Sequence, residues 1–461
     1  MVLSWHMLSA LVTDLYQLTM MAGYRALGDD RPRTFELFVR TLPPHRRYLV
    51  AAGLDTALDY LESLRFTADE IAWLRQVPAL ARVPAAFFDE FLPRFAFRGE
   101  VWAVEEGEPV FANEPLLRVT APAPEAQLVE TALLAIVTQQ TSVASKAARV
   151  VRAAAGRPVV EFGTRRAPGL EASVLAARAA CIAGCVGTSN VEAGRRFDLP
   201  VAGTMAHSWV LGFPDEIEAF RGFMATFGDA ATLLIDTYDT VAAARRIVDE
   251  GLRPAAVRLD SGDLPQLARE VRAVLDAAGL HGTRIMASGD LDEHRIARLL
   301  GEGAPIDAFG VGTSISAVAD APALGAVYKL VETTADGAPQ PVAKRSAGKA
   351  TLPGRKQVWR VMERGAASHD VLALEGETID NARSLLRCVM RDGRRVAPPV
   401  PVLQMQARCL ERLQELPADV RDRLDDEPAP AYRVESSRGL TGLVERVSAA
   451  RGIRAAAQPP R

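Results

Sequence analysis

Cysteine is scarce in this 461-residue chain. Cys181, Cys185, Cys388 and Cys409 make up the set of four, too few to staple a fold of this size with disulfides. Cys181 and Cys185 stand one helical turn apart in an alanine-rich stretch, not in a C-x-x-C pair, which fits buried thiols in a reducing compartment. Charge of one sign is lacking too. The formal net charge is −3, which gives no electrostatic reason to expect nucleic acid or an anionic membrane as partner. No apolar run approaches the ~18 residues of a membrane span. Met1 to His6 has neither the basic region nor the apolar core of a signal peptide, so a cytoplasmic location is expected. Reaction signatures are missing as well: there is no G-x-G-x-x-G, no G-x-x-x-x-G-K-[ST] loop, no kinase signature and no H-E-x-x-H spacing. Dinucleotide-binding open sheets, P-loop enzymes and zinc hydrolases are set aside on that ground.

What is present is a change of texture along the chain. Residues 1–135 read as an N-terminal α+β domain. A helix is expected from Leu11 to about Gly28, opened by Thr13 or Asp14. Thr34 to Arg40 alternates like a half-buried strand, and a β-like pattern runs from Phe97 to Val119. A long helix follows from about Glu125 to Ala155, with a bend near Thr141-Ser142. From 136 to 326, apolar runs alternate with helical stretches, the signature of a parallel sheet built from βα repeats. The runs end at Phe162, Thr188, Gly203, Asp236, Asp260, Ser288 and Gly312. They carry almost no internal polar residue, as expected of strands covered on both faces. Seven such units suit an irregular TIM-like α/β barrel, whose strand ends meet at one mouth, better than an open doubly wound sheet. Residues 327–461 read as a C-terminal β/α extension packing back on the N-terminal domain, with helices near Pro401–Leu413 and Ala418–Leu424 and a disordered tail from Ala455.

Candidate chemistry gathers at the strand ends. His207, in Gly203-Thr204-Met205-Ala206-His207-Ser208, follows a short run expected to be a buried strand, and small neighbours leave its ring room. An imidazole is partly neutral near pH 7 and can accept a proton or a phosphoryl group. Leu259-Asp260-Ser261-Gly262-Asp263-Leu264 delivers one carboxylate at a strand end and a second that caps the next helix; together they can bind ribose hydroxyls or Mg²⁺. For Asp263 a purely capping role is an even alternative. Ala287-Ser288-Gly289-Asp290 and Gly310-Val311-Gly312-Thr313 add two more glycine turns before helices, where barrels hold phosphate. Glu161-Phe162-Gly163-Thr164-Arg165-Arg166 supplies a ring to stack on a flat ligand and arginines to hold phosphate or carboxylate. A phosphorylated small molecule is the leading ligand class.

These blocks, together with Thr13-Asp14-Leu15-Tyr16-Gln17-Leu18-Thr19, Gly187-Thr188-Ser189-Asn190 and Leu352-Pro353-Gly354-Arg355-Lys356-Gln357, resemble the nicotinate phosphoribosyltransferase family of type II phosphoribosyltransferases, in order from about residue 11 to at least 360. The resemblance implies joining nicotinate to 5-phosphoribosyl 1-diphosphate, giving nicotinate mononucleotide and diphosphate in NAD salvage. It also implies Mg²⁺, and ATP as co-substrate of an ATP-dependent ligase, with transient phosphorylation of the histidine that aligns with His207. A head-to-tail homodimer with shared active sites is implied as well. Phe162 and Tyr16 of a second copy would sandwich the pyridine ring, and Arg258 would face its carboxylate. Asp260 would touch ribose or Mg²⁺. Gly289, Asp290, Gly312 and Thr313 would hold the 5-phosphate, and Arg40 and Arg165 the diphosphate. Ser208 and Asp263 complete the implied substrate contacts. Ser189, neutral where nicotinamide-using relatives carry aspartate, would favour the acid over the amide. Pro168 stands where the family leads one to expect histidine, and Pro44-His45-Arg46-Arg47 replaces a glycine-rich turn. The rival readings are nicotinamide or quinolinate phosphoribosyl transfer, and a phosphosugar isomerase or aldolase barrel for which Glu161 is the one candidate base.

Overall fold

The computed structural model describes residues 9–344, 346, 349–424 and 431–449. The tail from Ala455 and part of the Lys344–Lys356 block lie outside them. Seven strands form one antiparallel sheet in the order Ala338–Pro341, Ala326–Ala335, Pro32–Val39, Pro115–Pro122, Glu100–Val104, Leu386–Arg391, Arg394–Arg395. Strands from beyond residue 325 therefore sit on both flanks of strands from the first 122 residues. Pro32–Val39 is buried from Arg33 onward, not half-buried as its alternation suggested. Its polar face meets protein instead of water: Glu36 is fully buried, accepting a bond from the Lys356 backbone at 2.9 Å and pairing with its ammonium at 2.9 Å. On the same strand Phe35 stacks on Tyr328, ring centres 4.7 Å apart.

The long helix breaks at Val129, into Ala123–Leu128 and Glu130–Ala153, and not at Thr141-Ser142. Hydroxyls near the latter point reach a neighbouring segment, although Ser145 also donates to the Thr141 carbonyl of its own helix at 2.6 Å. Thr141 exchanges hydrogen bonds with the backbone of Ala52 at 3.2 and 3.1 Å, and Ser145 accepts from the Val50 amide at 2.9 Å. They dock the chain around Leu49–Val50 against a helix that runs unbroken through Thr141-Ser142.

Six parallel strands form the second large sheet, ordered Gly187–Thr188, Val159–Glu161, Ala308–Val311, Arg284–Ala287, Ala256–Leu259, Thr232–Leu234. Helices such as Leu170–Ile182, Thr240–Asp249, Leu264–Ala277 and Glu293–Gly301 connect them. The expected strand before His207 is reduced to one bridge, Val201 to Thr188, and Val201 is 52% exposed rather than buried. Among the described residues no bridge joins Val201 to Thr232–Leu234. The irregular α/β barrel thus curls but leaves a seam, and both His207 and Asp236 flank it. A four-stranded sheet (Ala382–Ser384, Lys356–Glu363, Ala366–Leu374, Val434–Ser436) completes the fold. No described helix is long and apolar enough to cross a membrane.

Candidate active site

Thr232–Leu234 ends one residue before Ile235, which is fully buried and bonded to the Arg258 carbonyl at 3.2 Å. The next residue, Asp236, is thereby delivered to the sheet's carboxyl end with a side chain only 1% exposed. Its Oδ1 lies 3.2 Å from His207 Nε2; its Oδ2 accepts from the Asp260 amide at 3.2 Å and the Ser261 hydroxyl at 2.5 Å. One carboxylate therefore ties the His207 helix to the Asp260 turn across the seam. A carboxylate that accepts at this position would hold the hydrogen of a neutral imidazole on Nε2 and leave the lone pair on Nδ1. His207 opens a short helix, His207–Leu211, with its side chain 39% exposed. It is an imidazole held by a carboxylate on one nitrogen, with part of its side chain exposed.

Asp260 is held from the other side. Its Oδ1 accepts from Arg258 Nη2 at 2.6 Å and Ser288 Oγ at 2.5 Å. Burial pushes its carboxyl up, but the Ser288 hydrogen bond and the Arg258 charge outweigh that and leave it below the ordinary carboxylate range. Arg258 also donates to Ser288 Oγ at 2.7 Å and Thr204 Oγ1 at 3.0 Å, and its guanidinium carbon lies 5.5 Å from the centre of the Phe162 ring. A flat ring resting on Phe162 would put a carboxylate substituent within the guanidinium's reach.

Two glycines shape this surface. A Cβ at Gly310 would fall 2.4 Å from Phe162 Cε2, so the ring lies directly on that strand because no side chain stands there. Gly289, at φ +87°, would place a Cβ 1.9 Å from the Asp260 carbonyl oxygen. The glycine-rich turns thus serve close packing between strand ends, a reason that phosphate binding alone does not supply. Buried hydroxyls of Thr164, Thr237 and Ser314 have no described partner. Such groups are normally satisfied, and next to strand ends a ligand's oxygens can do it.

Glu161, the one candidate base for an isomerase, is a brace. Its two oxygens accept from the Gly163 amide and from Thr188 Oγ1 (2.6 Å), and burial raises its pKa against those bonds. Ser189 donates its amide to the Glu161 carbonyl at 2.9 Å. Asp263 caps the Leu264–Ala277 helix through the Gln266 amide at 3.2 Å. Arg165, Ser208, Asp290 and Thr313 are exposed, Asp290 with a left-handed φ of +47°. Arg40, just past the Pro32–Val39 strand, donates its amide to the Gly325 carbonyl at 3.3 Å, and its buried Nε has no partner among the described residues. Tyr16 lies apart from the cluster, 49% exposed on the Leu15–Ala26 helix, which packs on Ala123–Leu128. Asp236 was missed by sequence reasoning, although it carries the same signal as Asp260: a carboxylate ending an apolar strand needs partners.

Residues 11–138 match the nicotinate phosphoribosyltransferase N-terminal domain and residues 158–372 the nicotinate phosphoribosyltransferase family. The Mycobacterium tuberculosis nicotinate phosphoribosyltransferase pncB2 is 42% identical over 448 residues, covering 95% of this chain and 94% of its own. The Bacillus subtilis nicotinate phosphoribosyltransferase is 42% identical over 391 residues, covering 82% and 78%. The crystal structure of human nicotinic acid phosphoribosyltransferase superposes with a TM-score of 0.80 at 30% identity, covering 94% of this chain and 99% of that one. With Phe162, Arg258, Asp260 and His207 gathered on one barrel mouth and these relatives spanning nearly the whole chain, the protein belongs to the nicotinate phosphoribosyltransferase family.

Proposed function

We propose that this enzyme joins nicotinate to 5-phosphoribosyl 1-diphosphate, releasing diphosphate and forming nicotinate mononucleotide in NAD salvage, with ATP hydrolysis coupled through His207. The observation that carries the reading is the Phe162–Arg258–Asp260 surface standing beside an imidazole oriented by Asp236. The pyridine ring stacks on Phe162 with its carboxylate toward Arg258, which aims the ring nitrogen at the ribose C1. That nitrogen is already a neutral nucleophile, so no strong base is required, and the engagement of Glu161 as a brace is no obstacle. As the C1–diphosphate bond breaks, positive charge grows on the ribose, where ionised Asp260 can stabilise it. Negative charge grows on the leaving group, on the side given to Arg40 and Arg165.

In the ATP step, His207 Nδ1 attacks the γ-phosphorus; the N–P bond forms as the P–O bond to ADP breaks. Asp236 holds the Nε2 hydrogen and stabilises the charge that develops on the ring. The donor set also suits Mg²⁺, a hard cation usually bound by one or two carboxylates plus substrate oxygens. Asp260 would hold it, since both described bonds of that carboxylate fall on Oδ1. Bound there, it would neutralise diphosphate charge. A cytoplasmic homodimer completes the reading: Tyr16, exposed and away from its own chain's cluster, would close the ring sandwich on a second copy.

Nicotinamide is the rival base, and the neutral Ser189 argues against it. A product assay with each base, with and without ATP, decides. Nicotinate mononucleotide formation stimulated by ATP, with nicotinamide unable to substitute, is the expected result. Equal turnover of nicotinamide would sink the acid-specific reading of Ser189.

A further inference from the structure

A second charged cluster lies behind the glycine turns and has no place in the chemistry above. Lys146, on Glu130–Ala153, is 4% exposed. Its ammonium sits 2.6 Å from Glu293 Oε2 and 3.1 Å from Asp320 Oδ2. Each carboxylate already has another cation. Arg149 Nε lies 2.8 Å from Glu293 Oε1, and Arg46 Nη2 lies 2.9 Å from Asp320 Oδ2 with its side chain 2% exposed. His294, at the rim, stands 4.0 Å from Glu293. Among the described residues, two carboxylates thus face three basic side chains, Lys146, Arg149 and Arg46. With Arg149–Glu293 and Arg46–Asp320 counted as one-to-one pairs, the cluster has one positive charge in excess, and Lys146 is the cation shared by both carboxylates.

A surplus buried charge is costly unless something of opposite sign repays it. The segments it touches say where that partner comes. Glu293 opens the helix that follows the Gly289-Asp290 turn, and Asp320 follows the helix that Gly312 leads into. Asp320's segment runs on to Gly325, whose carbonyl fixes the Arg40 amide. The cluster thus backs both places where phosphate groups are expected. Burial alone would raise the carboxyls of Glu293 and Asp320, yet their cations hold both below the ordinary range.

We propose that Lys146 is a specificity-determining residue for the anionic co-substrate: its uncompensated charge makes the barrel mouth complementary to a polyphosphate without touching it. The proposal rests on the phosphoribosyl-transfer reading for its substrate, though not for its measurement. A buried charge is screened little by salt, so the preference persists at high ionic strength.

The test uses the full chain and two probes, inorganic diphosphate by calorimetry and phosphoribosyl diphosphate in steady-state kinetics. Lys146→Met keeps the stem's volume and leaves two balanced pairs. It is expected to weaken diphosphate binding and raise the KM for phosphoribosyl diphosphate about tenfold, with kcat and the nicotinate KM changed less than about threefold. Lys146→Arg should restore most of the affinity. Asp320→Asn removes an anion instead, and should leave diphosphate binding as tight or tighter; this variant decides the matter if Lys146→Met does not fold. A uniform loss across both substrates, no change in diphosphate affinity, or weakened diphosphate binding in Asp320→Asn would each overturn the proposal. A wild-type protein that binds diphosphate in this charge-dependent way but forms no nicotinate mononucleotide would contradict the proposed function and leave this inference standing.

Discussion

Replacing Asp236 by asparagine is expected to cut ATP-stimulated turnover on the order of 100-fold, the scale at which a positioned proton-handling group contributes. Asp236 does three things at once: it orients His207, accepts the Asp260 amide and accepts the Ser261 hydroxyl. Asparagine keeps the shape but offers one acceptor oxygen where there were two. Its NH₂ must then face either an imidazole N–H or the donors on the Asp260 side. If the imidazole changes tautomer to avoid that, Nε2 accepts from the asparagine NH₂, the hydrogen moves to Nδ1, and the lone pair needed for attack faces the substituted side chain instead of the phosphoryl donor. Unsatisfied buried donors also cost about 1–3 kcal/mol each, so a lowered melting temperature should accompany the kinetic loss. The contrast between the two reactions separates these effects. Turnover without ATP, which does not need the phosphohistidine, should fall far less than the ATP-stimulated rate. Turnover within about threefold of wild type in both conditions would show that Asp236 does not position His207.

Gly289→Ala should be the most damaging of the small substitutions. The new Cβ would lie 1.9 Å from the Asp260 carbonyl oxygen, which is backbone and cannot rotate away, and φ +87° is itself strained for any L-residue. Either the turn or the Asp260 strand end must move, and with it the carboxylate that Ser288 and Arg258 hold. A loss of about 3–5 kcal/mol in stability is expected, within the range that named backbone clashes reach. Gly203→Ala, in the segment leading to His207, is the control. Nothing lies within 4 Å of its would-be Cβ, so its melting curve should stay within about 0.5 kcal/mol of wild type. Equal, small shifts for both variants in a denaturant titration would show that the turn is loose.

Much of this site was legible because a polar residue ending an apolar strand is expensive unless it is used. Position at a strand end pointed to His207 and Asp260, Phe162 stood out as a ring at another strand end, and Arg258 entered only with the family resemblance; Asp236 carries the same signal as Asp260 but has no glycine turn after it. The alternation of apolar runs and helices likewise predicted the curled parallel sheet. What could not be read were contacts between segments distant in sequence. The buried face of Pro32–Val39 depends on Lys356, 320 positions from Glu36. Gly310 owes its identity to the Phe162 ring, and the seam before Thr232 arises because the run after Pro200 makes one bridge only. The engagement of Thr141 with Ala52 is tertiary in the same way.

The central claim is that His207, held by Asp236 at the barrel seam, accepts a phosphoryl group from ATP and so drives ribosyl transfer. Its most direct test is phosphate covalently retained on the protein after incubation with γ-labelled ATP, measured for wild type, His207→Ala and Asp236→Asn. Acid-labile, base-stable label on the wild type, absent from His207→Ala and much reduced in Asp236→Asn, is the predicted result. Label that persists in His207→Ala, or ATP hydrolysis coupled to product formation without any such label on the wild type, would contradict it.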